Sequence, residues 1–505
     1  MSNRAAALAA LENAASDDLQ ALPRAAAEAL KHGLAAQAEP LLAVAAERHP
    51  GDPRLWQFLG LARRDLQDSA AAHAAFGRAA ALAPADPLIA HSQARTALEA
   101  GFLAIPLYNR ARLLAPNDGA VALGRLAALF AEGKDDAACN QLVQLLNQSP
   151  GWSEGHIAYA RFAAQFRPDL PIDATLRAAL AQHPASGGLW RLEFQVWMEA
   201  RDYRRALAAV EQARAALGPE PELDRVEAVC RAELGDAEAA HALFNRLPFP
   251  ADPDAAIWPL RNYIRLGRHD QALLLAEQDF AGHDVAPLWP YRALLWRLVD
   301  DPRWEWLEGD ERLIRTYDIA AEIGQLDSLA EILRGLHRAK GQPLDQSVRG
   351  GTQTDGNLLA RAEPEIRQLR AALLDAVQHY VAQLPQPDPA HPMLPACRDE
   401  LKIAGSWSVR LTDKGFHADH VHCQGWISSA FYVVVPEPDP HVPEGGWLAF
   451  GECRDLLPDL GAFRTVEPKP GKLALFPSTL WHGTRPFGNG ERMTVAYDIA
   501  RPRQD

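Results

Sequence analysis

The chain has 505 residues, of which 48% are apolar and 23% charged, and its formal net charge is −14. That length exceeds what one hydrophobic core serves, so at least two domains are expected. The acidic balance argues against a general nucleic-acid binder, whose phosphate contacts need clustered Lys and Arg, and it hints weakly at a cationic partner.

The Ala-rich start, with Glu12, Asp17 and Asp18 inside it, lacks the basic opening and unbroken apolar stretch of a signal peptide. No window reaches the roughly 18 apolar residues of a membrane span, so no membrane association is expected. Five scattered cysteines (Cys139, Cys230, Cys397, Cys423 and Cys453) show no C-x-x-C spacing. Reduced thiols in a cytoplasmic protein are the simplest expectation, without a disulfide framework or a zinc site.

Residues 1 to about 300 are rich in Ala, Leu, Arg and Glu, which favour helix. Ala71, Ala74, Ala75, Ala79 and Leu82 recur at the spacing of one helix face. A proline turn returns at His49-Pro50, Ala83-Pro84, Ala115-Pro116, Ser149-Pro150 and His183-Pro184, at spacings of 34, 32, 34 and 34, with a weaker sixth copy at Gly218-Pro219. Proline there stops one helix and the next begins just after it. A helix–turn–helix period of about 34 residues resembles the tetratricopeptide repeat, over roughly 35 to 250. Leu55, Trp56, Leu59 and Gly60 fit the opening of one unit, and Ala71, Ala74, Ala75 and Phe76 its second helix. Helical character continues to about 340 without a clear phase. The resemblance implies a superhelical groove for a peptide or protein, or else a scaffold that packs on the rest of the chain or joins copies into a homo-oligomer. The helical repeat domain is placed at 1–335.

Residues 336–395 read as a connecting segment. It holds Gln346-Ser347-Val348-Arg349-Gly350-Gly351-Thr352-Gln353-Thr354, an active-site lid or a structured linker, and then a helix over Pro364–Leu384. From 396 to 505 the pattern becomes short and β-branched: Leu401–Leu411, Trp426–Val435, Trp447–Phe450, Lys472–Phe476 and Met493–Ile499, separated by Gly and Pro clusters. Several short strands at this spacing predict a β-sandwich or barrel.

The densest group of ligand-type side chains is Phe416-His417-Ala418-Asp419-His420-Val421-His422. Non-haem iron takes three protein ligands on one side and leaves positions open for substrate and oxygen. Two residues at i and i+2 on a strand share a face, and the third ligand comes from elsewhere, for which His482 is the candidate. Two registers compete. His417 and Asp419 form the His-x-Asp pair that spacing alone favours, because a carboxylate balances the metal charge. His420 and His422 form His-x-His, one residue out of phase and facing the other way on a regular strand.

The stretch from His420 to Val433 resembles the 2-oxoglutarate/Fe(II) oxygenase family often fused to tetratricopeptide repeats, whose motif reads His-x-His-Pro-x-Gly-Trp-x-Ser-Ser-x-Tyr-Tyr. Gly405–Leu411, Gly446–Leu448, Pro470–Leu473, Leu475–Ser478 and the Gln346–Thr354 segment match in order, so the resemblance spans about 340 to 500. Cys423 stands where the family has proline, and Phe431 where it has its first tyrosine.

The resemblance implies an α+β multidomain chain, a helical repeat superhelix followed by a double-stranded β-helix (jelly-roll) domain. It implies iron at His420, His422 and His482, with His417 and Asp419 as the alternative register or as partners orienting the ligands. It also implies 2-oxoglutarate and O2 as cosubstrates, with Arg492 holding the far carboxylate, a task its planar fork suits. Thr494 would add a hydroxyl, Tyr432 and Ser428 would line the pocket, and Arg485, before Pro486, ranks second to Arg492. The activity implied is a dioxygenase that hydroxylates a peptide or protein side chain recruited by the repeats. The alternatives are a non-catalytic repeat scaffold and a three-histidine, cupin-like metal enzyme that does not use 2-oxoglutarate.

Overall fold

The computed structural model describes residues 3–14 and 19–502, so Asp17 and Asp18 lie outside the described residues. Helices fill the first part in antiparallel succession, and the proline turns fall between them. His49 follows helix Ala35–Arg48 and precedes Pro53–Asp65; the sixth copy, Gly218, separates Tyr203–Leu217 from Pro221–Glu233. The turns start helices as well as stop them. Asp52, Asp86 and Asp118 each accept the backbone N–H of Arg54, Leu88 or Ala120, a cap worth about 1 kcal/mol. Gly60 is small for a reason: a Cβ there would sit 2.8 Å from the Phe76 ring. The helical pattern runs on past 250 through Pro253–Arg265, His269–Ala276 and Trp289–Leu298. No helix among the described residues is long and apolar enough to cross a membrane.

Nine strands follow among the described residues. They are β1 (Arg315–Asp318), β2 (Val348–Gln353), β3 (Ile403–His417), β4 (Gly425–Val434), β5 (Leu448–Phe450), β6 (Arg464–Val466), β7 (Lys472–Pro477), β8 (His482–Thr484) and β9 (Glu491–Ala500). All pairings are antiparallel, in a six-stranded sheet of order β1-β7-β4-β9-β3-β2 and a three-stranded sheet of order β6-β5-β8. The chain is thus α+β multidomain, with helical repeats first and a double-stranded β-helix domain after them.

The five expected strands are present with ends shifted by a few residues. Helix Pro364–Gln383 occupies the place expected for Pro364–Leu384. One expectation needs correction: the stretch read as helical to about 340 contains β1. Arg315–Asp318 pairs residue for residue with Leu475–Lys472 at the sheet edge, and this long-range pairing outweighs local propensity. The Gln346–Thr354 segment, expected as an active-site lid or a structured linker, contains β2, an edge strand on β3, and Gln346, Ser347 and Gln353 of it line the cavity of the histidines.

Two compact units are distinguished. One comprises the chain to Leu142 with Asp355–Ala371; the other comprises Val143–Thr354 with the chain from Ala372 onward. The second unit holds both the later repeats and the sheets. Within it, Tyr291, Leu294 and Leu295 of helix Trp289–Leu298 share a core with Cys453, Leu456 and Trp481. The Trp481 indole donates to the Pro290 carbonyl at 3.1 Å, and Arg297 donates to the Gly451 carbonyl at 2.7 Å. This helix therefore braces the loop that carries His482.

Candidate metal centre

Strand β9 sorts its side chains by alternation. Met493, Val495, Tyr497 and Ile499 are wholly buried in the core, whereas Arg492, Thr494, Ala496 and Asp498 line a small cavity of about 50 Å³. Trp407 and Val409 of β3 face the same cavity, as do Ser428 of β4 and Phe476 of β7.

Strand β3 ends at His417. The chain then turns, and His420 forms an isolated bridge with His482 through two backbone hydrogen bonds of 2.9 and 3.0 Å. The His422 N–H donates to the Ser478 carbonyl at 2.8 Å, stitching the next residue to the same partner segment. The two segments thus bring three imidazoles together, and one ring nitrogen from each lies within 4.8 Å of the others.

Each ring is held through Nδ1. His420 Nδ1 lies 2.8 Å from the Ala418 carbonyl, His482 Nδ1 2.9 Å from the Leu480 carbonyl, and His422 Nδ1 2.7 Å from Asp498 Oδ2. A carbonyl or a carboxylate only accepts, so Nδ1 carries the proton and Nε2 keeps its lone pair, as a metal ligand requires. Burial, reinforced by the neighbouring imidazoles, holds His420 well below its usual pKa and His482 down to about 3, so both are neutral. Trp407 stacks flat on His422 at 5.6 Å and Phe476 meets His482 edge-on at 4.7 Å.

The alternative register is not assembled. Asp419 accepts from Arg454 Nη2 at 2.6 Å, Nε at 2.8 Å and the backbone N–H at 2.9 Å. A side chain at Gly483 would collide with that carboxylate. His417 does face the cavity, on the same side as His420 and His422, because the strand does not continue in regular register between them. Its Nδ1 lies 3.0 Å from Ser347 Oγ, which is itself 3.3 Å from His420 Nε2.

Arg492 is also wholly buried in this cavity. Its Nε donates to the Gly446 carbonyl at 3.2 Å and its guanidinium lies 5.1 Å above the Tyr432 ring. No carboxylate pairs with it among the described residues, and burial lowers its pKa. The buried Tyr432 hydroxyl faces the Arg492 guanidinium, and Thr494 stands opposite Tyr432 in the β4–β9 register. An uncompensated cation with a hydroxyl beside it suits an anionic ligand. Arg485, by contrast, pairs with Glu444 at 2.6 Å and Glu452 at 3.0 Å. Ser428 lines the cavity, but its hydroxyl donates to Asp498 Oδ1 at 2.6 Å and lies 2.9 Å from Ser478 Oγ. Cys423 and Phe431 do not line the cavity; burial raises the Cys423 thiol to about 11, and Phe431 sits in the core.

Sequence reasoning missed Asp498 and Ser347. Asp498 had a signal, since counting in twos from Arg492 along β9 reaches it. Ser347 lay within the Gln346–Thr354 segment singled out as a lid or structured linker, but nothing local marked it within that segment as the residue that meets the histidines.

Among known proteins, residues 405–498 match the family model described as "Putative 2OG-Fe(II) oxygenase". No curated protein matches the chain. Similar solved structures include a tetratricopeptide repeat protein from Parabacteroides merdae, with 16% identity over 45% of this chain and 91% of that one and a TM-score of 0.30. A viral collagen prolyl hydroxylase from Paramecium Bursaria Chlorella virus-1 has 15% identity over 38% and 98%, with a TM-score of 0.27. A Pseudomonas putida prolyl-4-hydroxylase has 18% identity over 41% and 98%, with a TM-score of 0.27. The family-model match covers most of the sheet domain, from within β3 to within β9.

Proposed function

We propose that the chain is an Fe(II)- and 2-oxoglutarate-dependent dioxygenase that hydroxylates a peptide or protein side chain. Iron is held by His420, His422 and His482, and the far carboxylate of 2-oxoglutarate by Arg492 with Thr494. The observation that supports this most is the coexistence, in one cavity, of three imidazoles with unprotonated Nε2 atoms and a buried guanidinium without a carboxylate partner among the described residues. When bound, iron and 2-oxoglutarate with O2 supply the oxidising equivalent for a C–H bond and release succinate and CO2.

The protein's own contribution is positional. Three Nδ1 tethers fix tautomer and ring rotation before the metal arrives. Three neutral ligands bring no negative charge, so the Asp498 carboxylate behind His422 supplies one, steadied by Ser428. Trp407 and Phe476 shield two of the rings from water. Arg492 fixes one end of the cosubstrate, and the Tyr432 hydroxyl beside it can donate to the same carboxylate. The expectation of a peptide or protein substrate rests on the repeats, since stacked helical hairpins offer extended binding surfaces.

Anaerobic titration with Fe(II), with and without 2-oxoglutarate, tests the reading. Expected are stoichiometric iron binding, a visible charge-transfer band only when 2-oxoglutarate is present, and succinate on admission of air. No iron binding would leave a repeat scaffold, and iron binding indifferent to 2-oxoglutarate would leave a three-histidine metal enzyme of another kind.

A further inference from the structure

A second cavity, of about 490 Å³, opens in the same compact unit among helices Gly187–Glu199, Pro221–Glu233 and Pro253–Arg265. That size falls among pockets that hold sizeable ligands, roughly 300–1,000 Å³. Phe194, Met198, Tyr203, Trp258 and Tyr291 give it apolar and aromatic walls, and Asp345 closes one side.

Asp345 belongs to the strap that runs from the repeats to the iron cavity. The Lys340 and Gly341 N–H groups donate to the Gln165 carbonyl at 2.6 and 2.9 Å. Leu344 packs on the core of the repeat helices, and the Asp345 N–H donates to the Glu199 carbonyl at 2.9 Å. Asp345 holds a left-handed backbone, φ 55°, which a short polar side chain tolerates better than most. The next two residues, Gln346 and Ser347, line the cavity of the histidines. Two residues of extended chain span at most about 7 Å, so this strap is a thin wall between cleft and iron cavity.

The charges around the cleft are mostly spent. Arg191 meets Glu222 at 3.4 Å, Arg201 meets Asp455 at 3.4 Å and Arg261 is held by Glu233 at 3.0 Å. Glu199 accepts from Arg161 at 3.3 Å, and Arg349 donates to the Gln346 and Val348 carbonyls at 2.8 and 2.7 Å. The Asp345 carboxylate has no ion pair or hydrogen bond among the described cleft residues; partial burial raises its pKa, the like charge of Glu199 adds to that, and Arg161 and Arg201 only partly offset it. A cation placed there relieves that repulsion, in keeping with a chain of net charge −14.

We propose that this cleft docks the substrate as an extended peptide, and that Asp345, with Glu199 beside it, takes a Lys or Arg side chain of that peptide. The proposal rests on the oxygenase reading above.

Fluorescence anisotropy of the full chain with labelled pools of short peptides, each with a central Lys, Gln or Glu in a neutral background, tests it. The Lys pool should bind about tenfold more tightly than the Glu pool, Asp345→Lys should invert that order, and the milder Asp345→Asn should erase it. Met198→Trp, which fills the cleft, should weaken all three pools. Equal binding of the pools by the wild type, or a Lys preference that survives in both Asp345 variants, overturns the proposal. Succinate formation by the wild type without peptide is measured in parallel. Succinate with no discrimination among pools defeats only the cleft, whereas discrimination with no succinate defeats only the oxygenase reading.

Discussion

Arg261 among the repeat helices and Arg492 in the sheet domain are both taken out of water, and their surroundings differ in kind. Arg261 meets Glu233 through two bonds, at 3.0 and 3.1 Å, and the same carboxylate accepts from Arg265 at 2.7 Å. Arg492 has a backbone carbonyl and the face of Tyr432, and no carboxylate. A buried ion pair completed within the chain is closed to ligands, and losing one partner strands the other. A buried cation left open by the chain is tolerated where a ligand's charge completes it. The comparison separates a structural charge from a binding charge without reference to any relative.

The largest expected effect comes from breaking the closed cluster. Glu233→Gln leaves two guanidiniums facing a neutral amide and should cost about 3 kcal/mol of stability by denaturant titration, without changing 2-oxoglutarate affinity. The pH dependence has a definite sign. Burial pushes the Glu233 pKa up, but Arg261 and Arg265 outweigh it, so the folded value lies below the ordinary one. The stabilisation is then complete above the unfolded carboxylate range and is lost as pH falls through the folded pKa. The wild type should weaken on acidification through this window, and the variant should lack that component.

Arg492→Gln should do the converse: raise the Kd for 2-oxoglutarate about 100-fold, the equivalent of one or two charge-assisted hydrogen bonds, while leaving the melting temperature level or higher. A sharp fall in stability with unchanged affinity would make Arg492 another structural charge. Asp498→Asn removes the carboxylate behind His422 and should weaken metal binding by about 10- to 100-fold in a competitive chelator assay. Ser428→Ala acts one bond further out and should cost less than about tenfold in the same assay.

The two parts of the chain were not equally legible. The repeats could be read because Pro recurs at turns about 34 residues apart, Asp caps helices that follow such turns and one helix face recurs between them, which are local signals. The long strands β3, β4 and β9 carried enough alternation to be seen. Strands β1, β2, β6 and β8 span only three to six residues and exist through their partners. The three histidines were legible as a motif, whereas the choice between registers was not. Spacing preferred His417 and Asp419, and the departure from regular strand geometry after His417 lies in tertiary pairing with His482 and Ser478.

By itself, then, the sequence determined the helical repeats, the longer strands and the set of residues from which the site is drawn, because these follow from local propensity, periodicity and motif. Only the tertiary structure decided that Asp419 goes to Arg454, that Asp498 stands behind His422 and that Ser347 reaches the histidines. It also decided that Arg492 is buried with no carboxylate partner among the described residues. Whether a charge is compensated depends on what residues distant in sequence bring to it, and local sequence does not encode that.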